Sequence, residues 1–156
     1  MFATASATAP RHAPHGAASA YRQMGVETGV TGASPHQLVL MLFDAFADSV
    51  TQARGAMRSR QVEHKGRAIS RALRIVNEGL REGLNLRQGG GLAADLSDLY
   101  GYVTLRLMQA NLANDEAALD ECQRLIAPLR EAWAAIGEER TAGGHDDRLQ
   151  SAMGLA

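Results

Sequence analysis

Apolar positions in this chain recur with a helical period in successive blocks, separated by short runs of glycine and polar residues. The first block is the densest. Leu38, Val39, Leu40, Met41, Leu42, Phe43 and Phe46 crowd two turns, more than the single stripe of a surface helix holds. One side of such a helix serves its own bundle; the other needs a further partner, inside the chain or outside it. Its start is written locally, with Ser34 as N-cap, Pro35 at the first helical position and Gln37 placed to close a capping box. The spacing of Val39, Phe43, Phe46, Val50, Ala53 and Met57 predicts a helix from Pro35 to about Ser59.

A second helix is predicted from about Val62 to Leu86, with Ile69, Leu73, Val76, Leu80 and Leu84 on one face and Gln88-Gly89-Gly90-Gly91 as its stop. Ala68, Ala72, Gly79 and Gly83 share one side of it, which suits close helix packing or a shallow groove for an incoming helix. The third helix is expected from near Leu92 to about Ala113, with Leu92, Leu96, Leu99, Val103, Leu107 and Ala110 inward. Asn114 is read as the N-cap of a fourth, where Asp115 and Glu116 suit the positive end of the helix. That helix carries Leu119, Cys122, Ile126, Leu129, Trp133 and Ile136, ends near Gly137–Arg140, and should kink at Pro128.

Short connections make neighbouring helices antiparallel. The expected fold is therefore all-α, an antiparallel up-down-up-down four-helix bundle over residues 34–140. It follows a disordered tail over 1–20 and a glycine-punctuated, turn-rich segment over 21–33, and a mobile tail covers 141–156.

Composition narrows the classes. The chain has 156 residues, 46% of them apolar and 4% aromatic, enough for one helical core built on Ala and Leu. A net charge of −1 gives no global pull toward nucleic acid or an anionic membrane. No apolar run is long enough to span a bilayer, and the first residues lack the basic and apolar regions of a signal peptide. The single cysteine, Cys122, excludes an intramolecular disulfide framework and fits a reducing compartment. Charge is uneven along the bundle. Arg54 to Arg87 holds nine basic residues against three acidic, and Asp95 to Glu139 holds three against nine, so the two hairpins attract.

Catalytic signals fail on inspection. No Glu is followed by His at the third position, as a di-iron bundle requires. His12, His15, His36, His64 and His145 lie in tails or at helix ends, and His12 with His15 makes at most a two-ligand metal site. Gly89-Gly90-Gly91-Leu92-Ala93-Ala94 matches a dinucleotide fingerprint in letters, but a helix precedes it where a strand is needed. No catalytic residue, cofactor or metal is expected. Arg67, Arg71 and Arg74 form a basic stripe at i, i+4, i+7. It reads as a solvated face or a partner of the acidic hairpin, and without interleaved aromatics it is a poor nucleic-acid site.

Several motifs in order then carry a resemblance. Y-x-x-x-x-V-E-T-x-V…A-S-P-H-Q-L…M-L-F-D runs from Tyr21 to Asp44, A-L-R-I-V-N-E-G-L-R-E-G-L-N over 72–85 and G-G-x-L-A-x-x-L-x-x-L-Y-x-Y over 89–102. L-x-Q-A-N-L-x-N-D follows at 107–115 and E-A-W-A-A-I at 131–136. Together these resemble the FliS-type flagellar secretion chaperones over residues 21–139. The resemblance implies a non-enzymatic, cytoplasmic export chaperone that binds the C-terminal region of flagellin in an apolar helical groove. Such a chaperone prevents premature polymerisation and assists delivery to the flagellar export apparatus. It also implies contact with a flagellar anti-sigma factor, and a lid role for Tyr21 to Val30. Gly101 stands where the family usually has an acidic residue and Ala45 where glycine is common; the Ala/Pro-rich lead is longer than the family's usual start.

On that reading, flagellin contact is expected at Leu38, Leu42, Leu96, Tyr100, Val103, Leu107 and Asn111, with Tyr21 in the lid. For each apolar member groove and core stay open as alternatives, because periodicity marks a face without saying what covers it. A regulatory adaptor working through the Arg67/Arg71/Arg74 stripe, and a bundle enzyme with an unrecognised site, are the competing readings.

Overall fold

The computed structural model describes residues 32–87, 89–142 and 152–154. Among them the chain forms helices α1 (Pro35–Arg58), α2 (Val62–Arg74, continuing as a π-helical stretch Ile75–Arg81), α3 (Gly90–Ala113) and α4 (Glu116–Ala142). The described residues contain no strand, and the all-α four-helix bundle is the observed architecture. The disordered tail expected over 1–20 and the segment Tyr21–Val30 lie outside the described residues.

The first helix starts as its sequence dictates. Ser34 Oγ accepts from the Gln37 amide at 3.2 Å, and Gln37 Oε1 accepts from the Ser34 amide at 2.9 Å. This reciprocal box satisfies two amide hydrogens that a helix N-terminus otherwise leaves unpaired.

Polar contacts give the directions. Along α1 and α4, Arg54 meets Glu116, Gln123 reaches Thr51 and Ala47, Arg130 meets Asp44, and Trp133 meets His36. One number falls as the other rises, so the two helices are antiparallel. Lys65 with Asn111, Asn77 with Thr104 and Arg81 with Ser97 give the same order for α2 and α3. Arg54 and Arg58 pair with Glu116, and Arg54 also with Asp120, so the basic and acidic halves meet across α1 and α4.

Between the helices lies one apolar core. Phe43, Phe46 and Val50 of α1 pack with Ile69, Ile75 and Val76 of α2, Leu96, Tyr100, Val103 and Leu107 of α3, and Leu119, Cys122, Ile126 and Trp133 of α4. Burial pushes the Cys122 thiol up to about 11, and Cys122 Sγ lies 3.8 Å from the Val103 carbonyl oxygen. Because the thiolate is the nucleophile, this thiol should be inert in the native state. Ellman's-reagent labelling near pH 8 is expected to follow global unfolding, with a rate that rises with denaturant; fast labelling of folded protein would contradict this placement.

Three local features differ from the sequence expectation. The second helix ends at Arg81 rather than Leu86, and its last stretch is π-helical. Here Asn77 Nδ2 donates to the Leu73 carbonyl at 3.0 Å, on the turn where the hydrogen-bond register changes. The glycine run opens α3 instead of stopping α2, with α3 beginning at Gly90. Asn114 is not the N-cap of α4. At φ 51° it is the left-handed C-cap of α3, and Asp115 Oδ1 accepts from the Ala118 amide to cap α4. Asparagine tolerates the left-handed conformation, and the two-residue turn uses both neighbours, one for each helix. Lys65 Nζ completes this end by donating to Asn114 and to the Asn111 carbonyl. Helix α4 continues through Pro128.

The side of α2 made by Ala68, Ala72 and Gly79 is buried, so it serves close packing inside the bundle. Of the tail expected over 141–156, Ala152–Gly154 is described beyond α4 and returns to the bundle. Ala152 and Met153 are buried, and Ala152 O accepts from the Asn85 amide at 3.0 Å. Gly89 makes room for it, since a Cβ there would sit 2.5 Å from the Ala152 Cα. A C-terminal strap thus closes the end where α2 hands over to α3.

Candidate interaction surface

Helix α3 is apolar on two sides. Its inward face carries Ala93, Leu96, Tyr100, Val103, Leu107 and Ala110, all buried. Its outer face carries a second apolar set that reaches water: Tyr102 is 44% exposed, Leu105 52%, Met108 55% and Leu112 90%. Single exposed apolar residues need no explanation; a run of them along nearly three turns of one helix is the pattern of a candidate interaction surface. Leu105, Met108 and Leu112 fall on the side of α3 away from the core, and Thr104 and Asn111 lie between them and α2. Thr104 Oγ1 lies 3.2 Å from Asn77 Oδ1, which fixes that orientation. Val62 begins α2 at the Leu112 end and is also exposed.

Polar contacts hold both margins of this stripe. Toward α4, the Tyr102 hydroxyl donates to Glu121, and Arg106 Nε donates to Glu121 Oε2 at 3.0 Å. The Tyr102 hydroxyl and then the Arg106 guanidinium hold the Glu121 carboxyl below the usual carboxylate range, although partial desolvation opposes them. Toward α2 lies a shallow cleft of about 630 Å³, lined by Glu63, Gly66, Arg67, Ser70, Arg71, Arg74 and Asn111.

Two further clefts flank the N-terminal turns of α1. One, of about 430 Å³, is lined by Gly32, Ala33, Gln37, Leu40, Met41, Asp44 and Arg130. The other, of about 600 Å³, runs from Ser34, His36 and Leu40 to Ala134 and Gly137 of α4. Leu40 lies between them and borders both.

The residues expected to contact a partner divide accordingly. Leu42, Leu96, Tyr100, Val103 and Leu107 are brought together, but in the core between helices rather than at a surface. Leu38 is half-buried and packs against that core. Asn111 is exposed and lines the α2–α3 cleft. Tyr21 lies outside the described residues. Sequence reasoning missed Tyr102, Leu105, Met108 and Leu112. The signal was there: once the inward set of α3 is removed, apolar residues remain at i, i+3, i+6 and i+10.

The model of the family described as "Flagellar protein FliS" matches residues 17–140. This chain belongs to the FliS family. It is 44% identical over 117 residues to the flagellar secretion chaperone FliS of Salmonella typhimurium, covering 75% of this chain and 87% of the relative. It is 40% identical over 116 residues to FliSB of Pseudomonas aeruginosa, covering 74% and 91%. With FliS of Escherichia coli the identity is 40% over 114 residues, covering 73% and 84%. The FliS match takes in all four helices up to residue 140, and with them the exposed stripe of α3. Among the described residues no helix is long and apolar enough to cross a membrane.

Proposed function

We propose that this protein is a flagellar export chaperone that binds the C-terminal region of flagellin, holds it from polymerising early and passes it to the flagellar export apparatus. The role is one of binding, without catalysis, in the bacterial cytosol. The observation that carries it is the exposed apolar stripe Tyr102, Leu105, Met108 and Leu112 on a helix whose other face already fills the core. A client segment whose apolar face normally packs inside a filament needs a substitute surface, and helix-in-groove docking supplies one.

Length argues for a second contact. A client stretch of about 40 residues would span roughly 60 Å as helix, well beyond one helix of this bundle, so it must bend onto another face. The clefts beside Leu40 at the α1–α4 edge are the second seat in this reading. In this reading the segment Tyr21–Val30 serves as its lid, the role that the family resemblance implies. Of the residues expected from sequence, Asn111 lines the α2–α3 cleft and is then a direct contact, and Leu38, half-buried against the core, contributes only its exposed part. Leu42, Leu96, Tyr100, Val103 and Leu107 support the helices from inside and touch a client only if the bundle opens. A flagellar anti-sigma factor is a further partner in the same reading.

Calorimetric titration of the full chain with a peptide of about 40 residues from the flagellin C-terminus tests this directly. Binding is expected with a negative heat-capacity change and a gain of helical circular dichroism, the signature of apolar burial coupled to folding. A folded sample that binds no such peptide would overturn the proposal.

A further inference from the structure

Most arginines that reach across this bundle meet a carboxylate on the facing helix. Arg54 pairs with Glu116 and Asp120, Arg106 with Glu121, and Arg130 with Asp44. The outer ridge of α2 differs. Arg67, Arg71 and Arg74 stand along the α2–α3 cleft, and Arg81 extends the row, its Nε donating to Ser97 Oγ at 3.3 Å and its guanidinium lying against Gly101. Arg74 pairs within its own helix, with Glu78. Among the described residues no carboxylate lies within ion-pair distance of Arg67 or Arg71. The cleft wall holds three guanidinium groups against the one carboxylate of Glu63. The facing side of α3 contributes Asn111 and Thr104, which are neutral, and beyond them the apolar Leu105, Met108 and Leu112.

We propose that this cleft takes an amphipathic helix with Asp or Glu residues along one flank of its apolar stripe. The apolar stripe seats on Leu105, Met108 and Leu112, and the acidic flank meets Arg67 and Arg71. This rests on the chaperone reading and adds the chemistry that selects the client. The pattern suits a protein helix better than a nucleic-acid backbone, because half of the surface is aliphatic and offers a phosphate nothing. Arginine forks pair carboxylates bidentately, so the basic wall fixes the direction and rotation of the incoming helix as well as adding attraction. From Arg67 to Arg74 the ridge rises about 10 Å, which sets matching acidic positions roughly two turns apart on the client.

The test uses the full chain and two synthetic amphipathic helices of about 18 residues with the same Leu/Ala stripe, one flanked by Glu and one by Gln. The Glu peptide is expected to bind about tenfold more tightly at low salt, and the gap should close as ionic strength rises to about 0.3 M. The variant Arg67→Gln/Arg71→Gln should remove the preference and leave the Gln peptide's affinity unchanged. Both arginines sit on the outside of α2, and an unchanged melting temperature verifies the fold; Arg67→Lys/Arg71→Lys should retain a preference. Equal affinities for the two peptides would overturn the acidic flank while leaving the apolar seat intact. A flagellin peptide and both synthetic helices all failing to bind would overturn the chaperone reading and this inference together. Tight, salt-sensitive capture of a short DNA duplex, lost in the glutamine variant, would reassign the ridge to nucleic acid and overturn the proposal.

Discussion

Replacing Trp133 with alanine is expected to lower the unfolding free energy by about 3–5 kcal/mol, the range for truncating a large buried aromatic residue. Trp133 is fully buried, and its contacts with α1 are reciprocal. Its Nε1–H donates to the His36 carbonyl at 3.0 Å, and its own carbonyl accepts from His36 Nε2 at 2.6 Å. A carbonyl only accepts, so Nε2 carries the hydrogen. The two rings stack with centroids 4.9 Å apart and planes 15° from parallel. Gly137 leaves room for this arrangement, because a Cβ there would sit 2.3 Å from His36 Cε1. The pair latches the first turn of α1 onto α4, beside the cleft bordered by Leu40. Chemical denaturation followed by circular dichroism measures the loss. Trp133→Phe keeps most of the volume and forfeits the N–H donor, so it should cost only about 1–2 kcal/mol. An alanine variant within about 1 kcal/mol of wild type would mean that the latch is not formed in solution.

The second large effect is on binding. Leu105→Asp with Leu112→Asp is expected to reduce affinity for the flagellin C-terminal peptide by at least about 100-fold. Burying each leucine against a docked helix contributes about 1.5–3 kcal/mol, and each 1.4 kcal/mol is tenfold in affinity. An introduced carboxylate must also be desolvated without a partner, which adds to the loss. Both positions are exposed in the free chain, so the fold should survive with the melting temperature lowered only slightly, by the poorer helix propensity of Asp and its charge in the last turn of α3. The paired control is Leu107→Ala. Leu107 is fully buried, so that change should destabilise the bundle by about 2–5 kcal/mol. Unaltered affinity in the double aspartate variant, measured by calorimetry, would remove the outer face of α3 from the site.

These two leucine sets locate the limit of what the sequence reveals. Leu96, Val103 and Leu107 repeat at helical spacing, and so do Leu105, Met108 and Leu112. Periodicity identifies an apolar face; which face the neighbouring helices cover is a property of the tertiary fold. Ser34, Pro35 and Gln37 were legible because a capping box is complete within four residues. Asn114 misled because asparagine suits both ends of a helix, and Asp115 beside it was free to take the other role. Gly89, Gly90 and Gly91 can end one helix or begin the next, and the end of α2 depends on a change of hydrogen-bond register that no side-chain pattern announces. The strap at Ala152 and Met153 has too few apolar residues to show a period, and its burial depends on the space left by Gly89. The family, by contrast, was legible from motifs in order, and residues 17–140 match its model.

The most direct test of the account is a methyl-resolved NMR titration of the full chain with the flagellin C-terminal peptide. Docking on the outer face of α3 predicts intermolecular contacts and large shifts at the methyls of Leu105, Met108 and Leu112, with Leu42, Leu96, Val103 and Leu107 keeping their contacts to one another. Contacts from the peptide to Val103 or Leu107, with the outer methyls unmoved, would mean that the bundle opens to take its client inside and would contradict docking on the outer face of α3.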